Sequence, residues 1–405
     1  MTRLARQTVI AVYEVRFPTA PAWEPGPLVL QHGQVRSTTE ARSEYYSARA
    51  ARVLYGDAAH PRRWHDASHH VIGDVEVTGV EALRVADEPD ACGLAAIHLR
   101  LNRGDPVALL RALAGRRGAA PVGFDPQEFV GGQVKIEPGV RPFTISFVTS
   151  ARRGLPRLYR HPRYWRWEPA RQWLWALASQ SDLNDYPPDP KYLEPTDNEI
   201  IRLSSDWHAV VLRDGMSVVG IRPDRGPEDP FFGYAELYLR SIYLDAVLLG
   251  MLQKQGLVRL EERMAAALDT SLTATMIELE REVSSFRHRL WAQHLTPHGV
   301  PNRLLAAYQR QHMLRERFEQ ILTQINDFNR LTREDENRHV NSAVVVFTLV
   351  TVPAGIALAF LQVLETNEPW LFAIVGGVCA VLVALLLRTR SARLAFKALR
   401  RRFTL

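Results

Sequence analysis

The sequence predicts an α+β domain, then long antiparallel helices, then a C-terminal two-helix transmembrane hairpin. Three observations carry this. Apolar and polar residues alternate over strand-like lengths in the first half of the chain. After about Asp229 the apolar residues recur three and four apart, the period of a helix with one buried face. Near the end, the runs 341–364 and 369–387 contain no charged residue, and both qualify for a spanning helix, which needs roughly 20 apolar residues. The expected division is 1–228 for a cytosolic α/β domain, 229–340 for a long-helix and stalk region, 341–388 for the hairpin, and 389–405 for a basic cytosolic tail. A chain of 405 residues has room for two or three such units.

The α/β domain is justified stretch by stretch. QTVIAVYEVRF, VIGDVEVTGVEALRV and ACGLAAIHLRL alternate as half-buried strands do. The opening MTRLARQTVIAVYEVRF has an apolar stretch too short for a signal peptide, and Glu14 and Arg16 interrupt it. DPVALLRALAGRRG reads as a helix with an aspartate cap and a glycine stop. In DWHAVVLRDGMSVVGI, Asp214-Gly215 joins two β-rich arms and predicts a hairpin whose turn uses positive φ. PPDPKYLEPTDN reads as loop. Beyond Asp229, YAELYLRSIYLDAVLLGMLQKQ and the stretch from Leu257 to Leu295 carry helical spacing, and TPHGVPN breaks it. A further helix starts near Asn302 with Leu304, Leu314, Phe318, Ile321, Ile325 and Phe328 near an a/d seam. With no Gly or Pro before the first apolar run, Arg303 to Leu364 reads as one continuous stalk of about 90 Å.

Charge orients the hairpin. Arg330, Arg333, Arg338 and His339 precede the first run. Arg388, Arg390, Arg393, Lys397, Arg400, Arg401 and Arg402 follow the second, and the connecting loop holds only Glu365 and Glu368. Positive residues stay inside, so a multi-pass protein of the cell's inner (plasma) membrane with both termini cytoplasmic is expected. The net charge of +6 then lies largely in this tail, and no nucleic-acid partner is needed to explain it. The two cysteines, Cys92 and Cys379, are not expected to pair, and no cysteine metal motif exists.

The succession of α/β domain, long antiparallel helices, stalk, short outer loop and basic tail resembles the CorA family of divalent-cation transporters. The likeness is most specific in FTLVTVPAGI, where Pro353 sits inside the first run. The resemblance implies a homopentamer among membrane lipids, with first spans lining a central pore and a divalent cation, Mg²⁺ or a relative, as transported or regulatory ion. The family's Gly-Met-Asn signature should fall near Gln362-Val363-Leu364 and is absent here.

Asn341, Thr348, Gly355 and Gln362 fall seven apart, and Thr351 lies one turn from Thr348, so they form one polar stripe. Neutral oxygens on such a stripe suit a pore that holds a hydrated ion; equally, small and hydroxyl residues glue helices together. The same step downward reaches Asp327 and Glu334, as a cytosolic cation approach or sensor, or as a solvated helix face. Glu365, Asn367 and Glu368 would form the outer mouth. RRGLPRLYRHPRYWRW (152–167) interleaves Arg with Tyr and Trp, which suits a phosphate with a stacked base, a lipid headgroup or plain packing. Its candidate ligand-binding residues are Arg160, Arg163, Tyr164 and Arg166, facing a small-molecule or nucleotide ligand. His65 and His69 would share a metal only on a helix. No Walker loop, nucleophile elbow or HExxH motif appears, so no enzyme and no cofactor are expected. The function expected is divalent-cation transport through an oligomeric pore. The alternative is a membrane effector without Mg²⁺ selectivity, controlled by a signalling molecule on its cytosolic domain.

Overall fold

The computed structural model describes residues 4–85, 90–119, 123–152, 154–182, 186–189, 199–270, 273–291, 296–328 and 330, with six single residues beyond them. It divides into two units, 1–319 and 320–405. The first unit is mixed α/β. Its strands are β1 Leu4–Phe17, β2 Glu24–Pro25, β3 Gln31–His32, β4 Val35–Arg36, β5 Arg63–Asp66, β6 His70–Ile72, β7 Val75–Arg84, β8 Ala91–Leu101, β9 Lys135–Ile136, β10 Phe143–Ser150, β11 Ile201–Arg202, β12 Trp207–Val211 and β13 Gly215–Gly220. Its helices are α1 Thr39–Glu44, α2 Ala48–Tyr55, α3 Pro106–Leu113, α4 Pro126–Val130, α5 Pro169–Ser179, α6 Pro230–Tyr238, α7 Leu244–Thr270, α8 Thr273–Arg289 and α9 Gly299–Gln311, with a π turn at Leu239–Tyr243 between α6 and α7.

Eleven strands make one sheet in the order β11-β12-β13-β10-β1-β8-β7-β5-β2, with β6 on β7 and β9 on β1. All pairs are antiparallel except β10 with β13, between which the chain runs through α5, β11 and β12. The alternation in the sequence decides the layers. Val9, Ala11, Tyr13 and Val15 of β1 share a face with Ala95, Ile97 and Leu99 of β8, and pack in one core with Leu110 of α3 and Trp173, Leu174 and Leu177 of α5. The other face of the sheet meets α6 and α7. There Phe147 contacts Trp207 and Phe232 with ring centroids 6.2 Å apart in each pair. This unit is therefore three layers deep, helix on sheet on helix.

The aspartate cap of α3 is as expected: Asp105 accepts from the Val107 amide at 3.0 Å and Gly115 follows at φ +58°. The β12–β13 hairpin also forms, but Gly215 is not at positive φ. It is needed for another reason: a Cβ there would lie 2.7 Å from the Thr144 carbonyl and 3.1 Å from that of Ala178.

Two expectations are corrected. The first is the C-terminal transmembrane hairpin, and with it the CorA-like architecture, the multi-pass inner-membrane location and the description as a membrane channel. Among the described residues no helix is long and apolar enough to cross a membrane. Helix α7, at 27 residues, has the length. It carries Asp245, Lys254, Arg259, Glu261, Glu262, Arg263 and Asp269, too many charges for a hydrocarbon core. Of the two apolar runs, only Val344, Thr348, Thr351 and Gly355 in the first and Trp370 and Gly377 in the second are described, each helical; the rest lie outside the described residues. The second correction is the continuous stalk. Helix α9 ends at Gln311, and Met313 takes φ +51°, a left-handed conformation that no α-helix continues through. Residues 314–319 are again helical in the first unit, as are 320–328 in the second.

Candidate functional site

The Arg/aromatic segment 152–167 follows β10 and runs into α5. Six arginines and no carboxylate fall within its sixteen residues. Its side chains divide between core and solvent. Tyr164 and Trp167 are each 1% exposed, with ring centroids 5.4 Å apart. Leu155 is also buried. Polar contacts lock the segment onto α5: the Tyr159 amide donates to Gln172 Oε1 at 3.0 Å, and Trp173 Nε1 donates to the Pro156 carbonyl at 2.8 Å. Arg157 is engaged within the segment, donating to the carbonyls of Trp167 and Trp165 at 3.0 and 3.2 Å.

What this scaffold presents outward is basic and aromatic. Arg152, Arg160, His161 and Arg166 are exposed. Trp165 is 65% exposed, and the Arg166 guanidinium lies 5.4 Å from its ring centroid. Among the described residues no carboxylate pairs with Arg152, Arg160 or Arg166. Elsewhere in the unit arginines do find acids: Arg222 is held by Asp206 and Asp229, and Arg6 by Asp224 and Glu236. Of the expected ligand-binding residues, Arg160 and Arg166 lie on this surface. Tyr164 lies beneath it, its hydroxyl donating to the Pro188 carbonyl at 2.5 Å. The Arg163 side chain lies outside the described residues.

A second polar cluster, between the sheet and α7, was not evident in the sequence. Arg63 of β5 and Glu81 of β7 pair at 0 and 1% side-chain exposure. Asp245 of α7 takes Arg63 Nη1 at 2.9 Å, Arg42 Nη1 at 3.3 Å and the Tyr55 hydroxyl at 2.7 Å. His98 of β8 lies 3.3 Å from Glu81, and Arg240 reaches His98 Nδ1 at 3.3 Å and Thr78 Oγ1 at 2.6 Å. Burial works against the charge on Glu81, but Arg63 and Arg42 outweigh it and hold the carboxyl well below the usual range. Burial pushes His98 down to about 4 and Arg240 down to about 10. The π turn explains the alignment. Its i→i+5 pattern sets Arg240 and Asp245 one above the other, so both meet the sheet. Tyr46 donates its hydroxyl to the Ile242 carbonyl within that turn, and Ser241 donates to the Leu237 carbonyl at 2.6 Å. Arg42, Arg63, Glu81 and Asp245 pair with one another and Arg240 is held by His98 and Thr78, so the cluster ties the helices to the sheet. The signal in the sequence is an acid set between apolar neighbours: Glu81 between Val80 and Ala82, and Asp245 within YLDAVLLG.

The remaining expected sites are scattered or outside the description. His65 belongs to β5 and contacts the Gly26 carbonyl at 3.0 Å, while His69 faces Glu76 at 2.6 Å, so the two do not converge. No group of three or more metal-ligating side chains occurs among the described residues. Asp327 is exposed on a helical stretch of the second unit, and Thr348 donates to the Val344 carbonyl at 2.7 Å, one turn back. Thr351 and Gly355 are helical and exposed. Asn341, Gln362, Glu334, Glu365, Asn367 and Glu368 lie outside the described residues. No protein-family model, no curated protein and no solved structure matches this chain.

Proposed function

We propose that this protein binds a small phosphate-bearing anion on the surface formed by Arg152, Arg160 and Arg166, and that it is a binding protein, not an enzyme. The observation that supports this best is the set of exposed guanidiniums that have no carboxylate partner among the described residues, on a backbone held by buried Tyr164 and Trp167. A guanidinium offers planar, paired donors that match phosphate oxygens. Rigidity of the supporting loop lowers the entropy lost on binding. Of the two functions expected from the sequence, ion conduction requires the membrane hairpin, and no helix among the described residues is long and apolar enough to supply it. Control by a bound signalling molecule does not need that element in order to be tested on this unit.

Titration calorimetry of the full chain with inorganic pyrophosphate tests the proposal. Saturable binding is expected, weakened by at least tenfold in Arg160→Ala/Arg166→Ala and weakened by rising salt. Equal affinity in the wild type and the double variant would refute the assignment.

A further inference from the structure

Met313 stands apart from the other left-handed positions of the chain. Among the described residues, the non-glycine residues at positive φ are Asp90, Gln180 and Met313. Two of them are held by their own side chains. Gln180 donates to the Pro142 carbonyl and to Thr144 Oγ1, each at 3.0 Å, and Asp90 accepts from Arg16 at 3.2 Å. Met313 is 60% exposed and has no such support. Gln311, Leu314, Arg315 and Glu316 around it are good helix formers, and no Gly or Pro lies between Asn302 and Phe328. The strain is therefore imposed from both sides of the break. Before it, the Tyr308 ring lies 2.7 Å from where a Cβ on Gly250 of α7 would stand, and Gln309 Nε2 donates to Gln253 Oε1 at 2.8 Å. After it, Arg317 Nε donates to Glu261 Oε1 of α7 at 2.8 Å, and the Phe318 ring lies 5.4 Å from that of Phe286 on α8 and 4.8 Å from that of Trp291. The break also changes which residues face inward. In an uninterrupted helix Arg315, seven residues on, would share the face of Tyr308, and Leu314 would point about 120° away. The reverse is observed: Leu314 is fully buried and Arg315 is exposed.

We infer that 299–319 is a two-state element, an intramolecular latch. Broken at Met313, it docks Arg317 and Phe318 on α7 and α8 and buries Leu314. Released from them, it closes into one continuous helix and uncovers Phe286 and Trp291. The left-handed methionine favours release, because an L side chain there crowds its own carbonyl. Burial of Leu314 and Phe318 favours docking. Loss of the Phe318 contact is thereby converted into a change in the length of the helix and in the face it presents.

Spin-label distances on the full chain, carrying Cys92→Ser and Cys379→Ser, test this. Labels go on Gly299→Cys, where an added Cβ meets nothing within 4 Å, and on Glu316→Cys, which is exposed. A continuous helix separates the two backbone positions by about 26 Å, and the broken form gives a shorter distance. The protein with an intact latch should show the short distance alone. Arg317→Ala/Phe318→Ala should move more than half of the molecules to the long one. Adding Met313→Gly, which removes the cost of positive φ, should return most of them. A short distance kept by the double variant, or a broad spread in place of the long one, would overturn the inference. So would a failure of Met313→Gly to reverse the shift. Melting temperatures give a second reading that needs no released variant. Met313→Gly alone should raise the melting temperature, and Met313→Ala, which keeps a Cβ, should not. Equal values for the two would mean that no strain is stored at the break, and would also overturn it.

Discussion

Asp245→Asn should destabilise the fold more than any surface change of the same chemistry. Asp245 has 0% side-chain exposure and meets two guanidiniums, Arg63 at 2.9 Å and Arg42 at 3.3 Å, besides the Tyr55 hydroxyl. At an effective dielectric of ~20, a unit pair near 4 Å is worth about 4 kcal/mol, so two contacts total roughly 8 kcal/mol before desolvation. Leaving the carboxylate uncharged recovers several kcal/mol of its desolvation cost. What remains is about 3–5 kcal/mol, the range found when one partner of a buried pair is removed. Arg42 and Arg63 would then share Glu81 alone. For a unit of 319 residues at ~2.1 cal/mol/K per residue, this lowers the melting temperature by about 4–7 °C. Near-UV circular dichroism of the full chain during heating reads the transition. Arg263→Ala is the control: Arg263 and Glu282 pair at 3.1 Å but Arg263 is half exposed, and exposed pairs contribute about 0–1 kcal/mol. A shift below ~1 °C for Asp245→Asn, or equal shifts for the two variants, would refute the view that this cluster is what seats α7 on the sheet.

Three further outcomes follow from the same interior. His98 is neutral in the fold down to about pH 4, while in the unfolded chain it takes a proton near its ordinary value of about 6.5. Its contribution is complete above the unfolded value and is lost as pH falls through that window, by up to roughly 3 kcal/mol. His98→Gln, which still faces Glu81, Arg240 and Arg42, should flatten that slope in urea titrations at successive pH values; an unchanged slope assigns it elsewhere. Tyr46→Phe leaves the Ile242 carbonyl of the π turn buried without its donor and should cost about 1–3 kcal/mol, measured by equilibrium unfolding; no loss would mean that the turn does not depend on Tyr46. Gly93→Ala places a Cβ 2.1 Å from the Leu83 carbonyl and 2.6 Å from the Phe17 ring, so overpacking should destabilise by about 1–3 kcal/mol or more, and a wild-type melting temperature would contradict the β7–β8 register.

Sequence reasoning succeeded where structure is local. The stretch ACGLAAIHLRL is β8 from end to end, because alternation is a property of each strand alone. The α3 cap was legible for the same reason. What escaped was non-local. Arg42 and Asp245 are 203 residues apart and Arg240 and His98 are 142 apart, so nothing in either neighbourhood announces the pair. The π turn has no spacing of its own to read, and the break at Met313 occurs without Gly or Pro to mark it. Composition did locate the Arg/aromatic surface. It could not sort the rings, however: Tyr164 is core and Trp165 is surface, although they are neighbours in the chain.

Hydrogen exchange of the full chain with and without pyrophosphate tests the central claim most directly, because it reports where the anion binds. The account predicts slowed amide exchange in 155–167, with β7, β8 and α7 unchanged. Protection confined to other segments, or none at a pyrophosphate concentration that saturates the calorimetric isotherm, would contradict it.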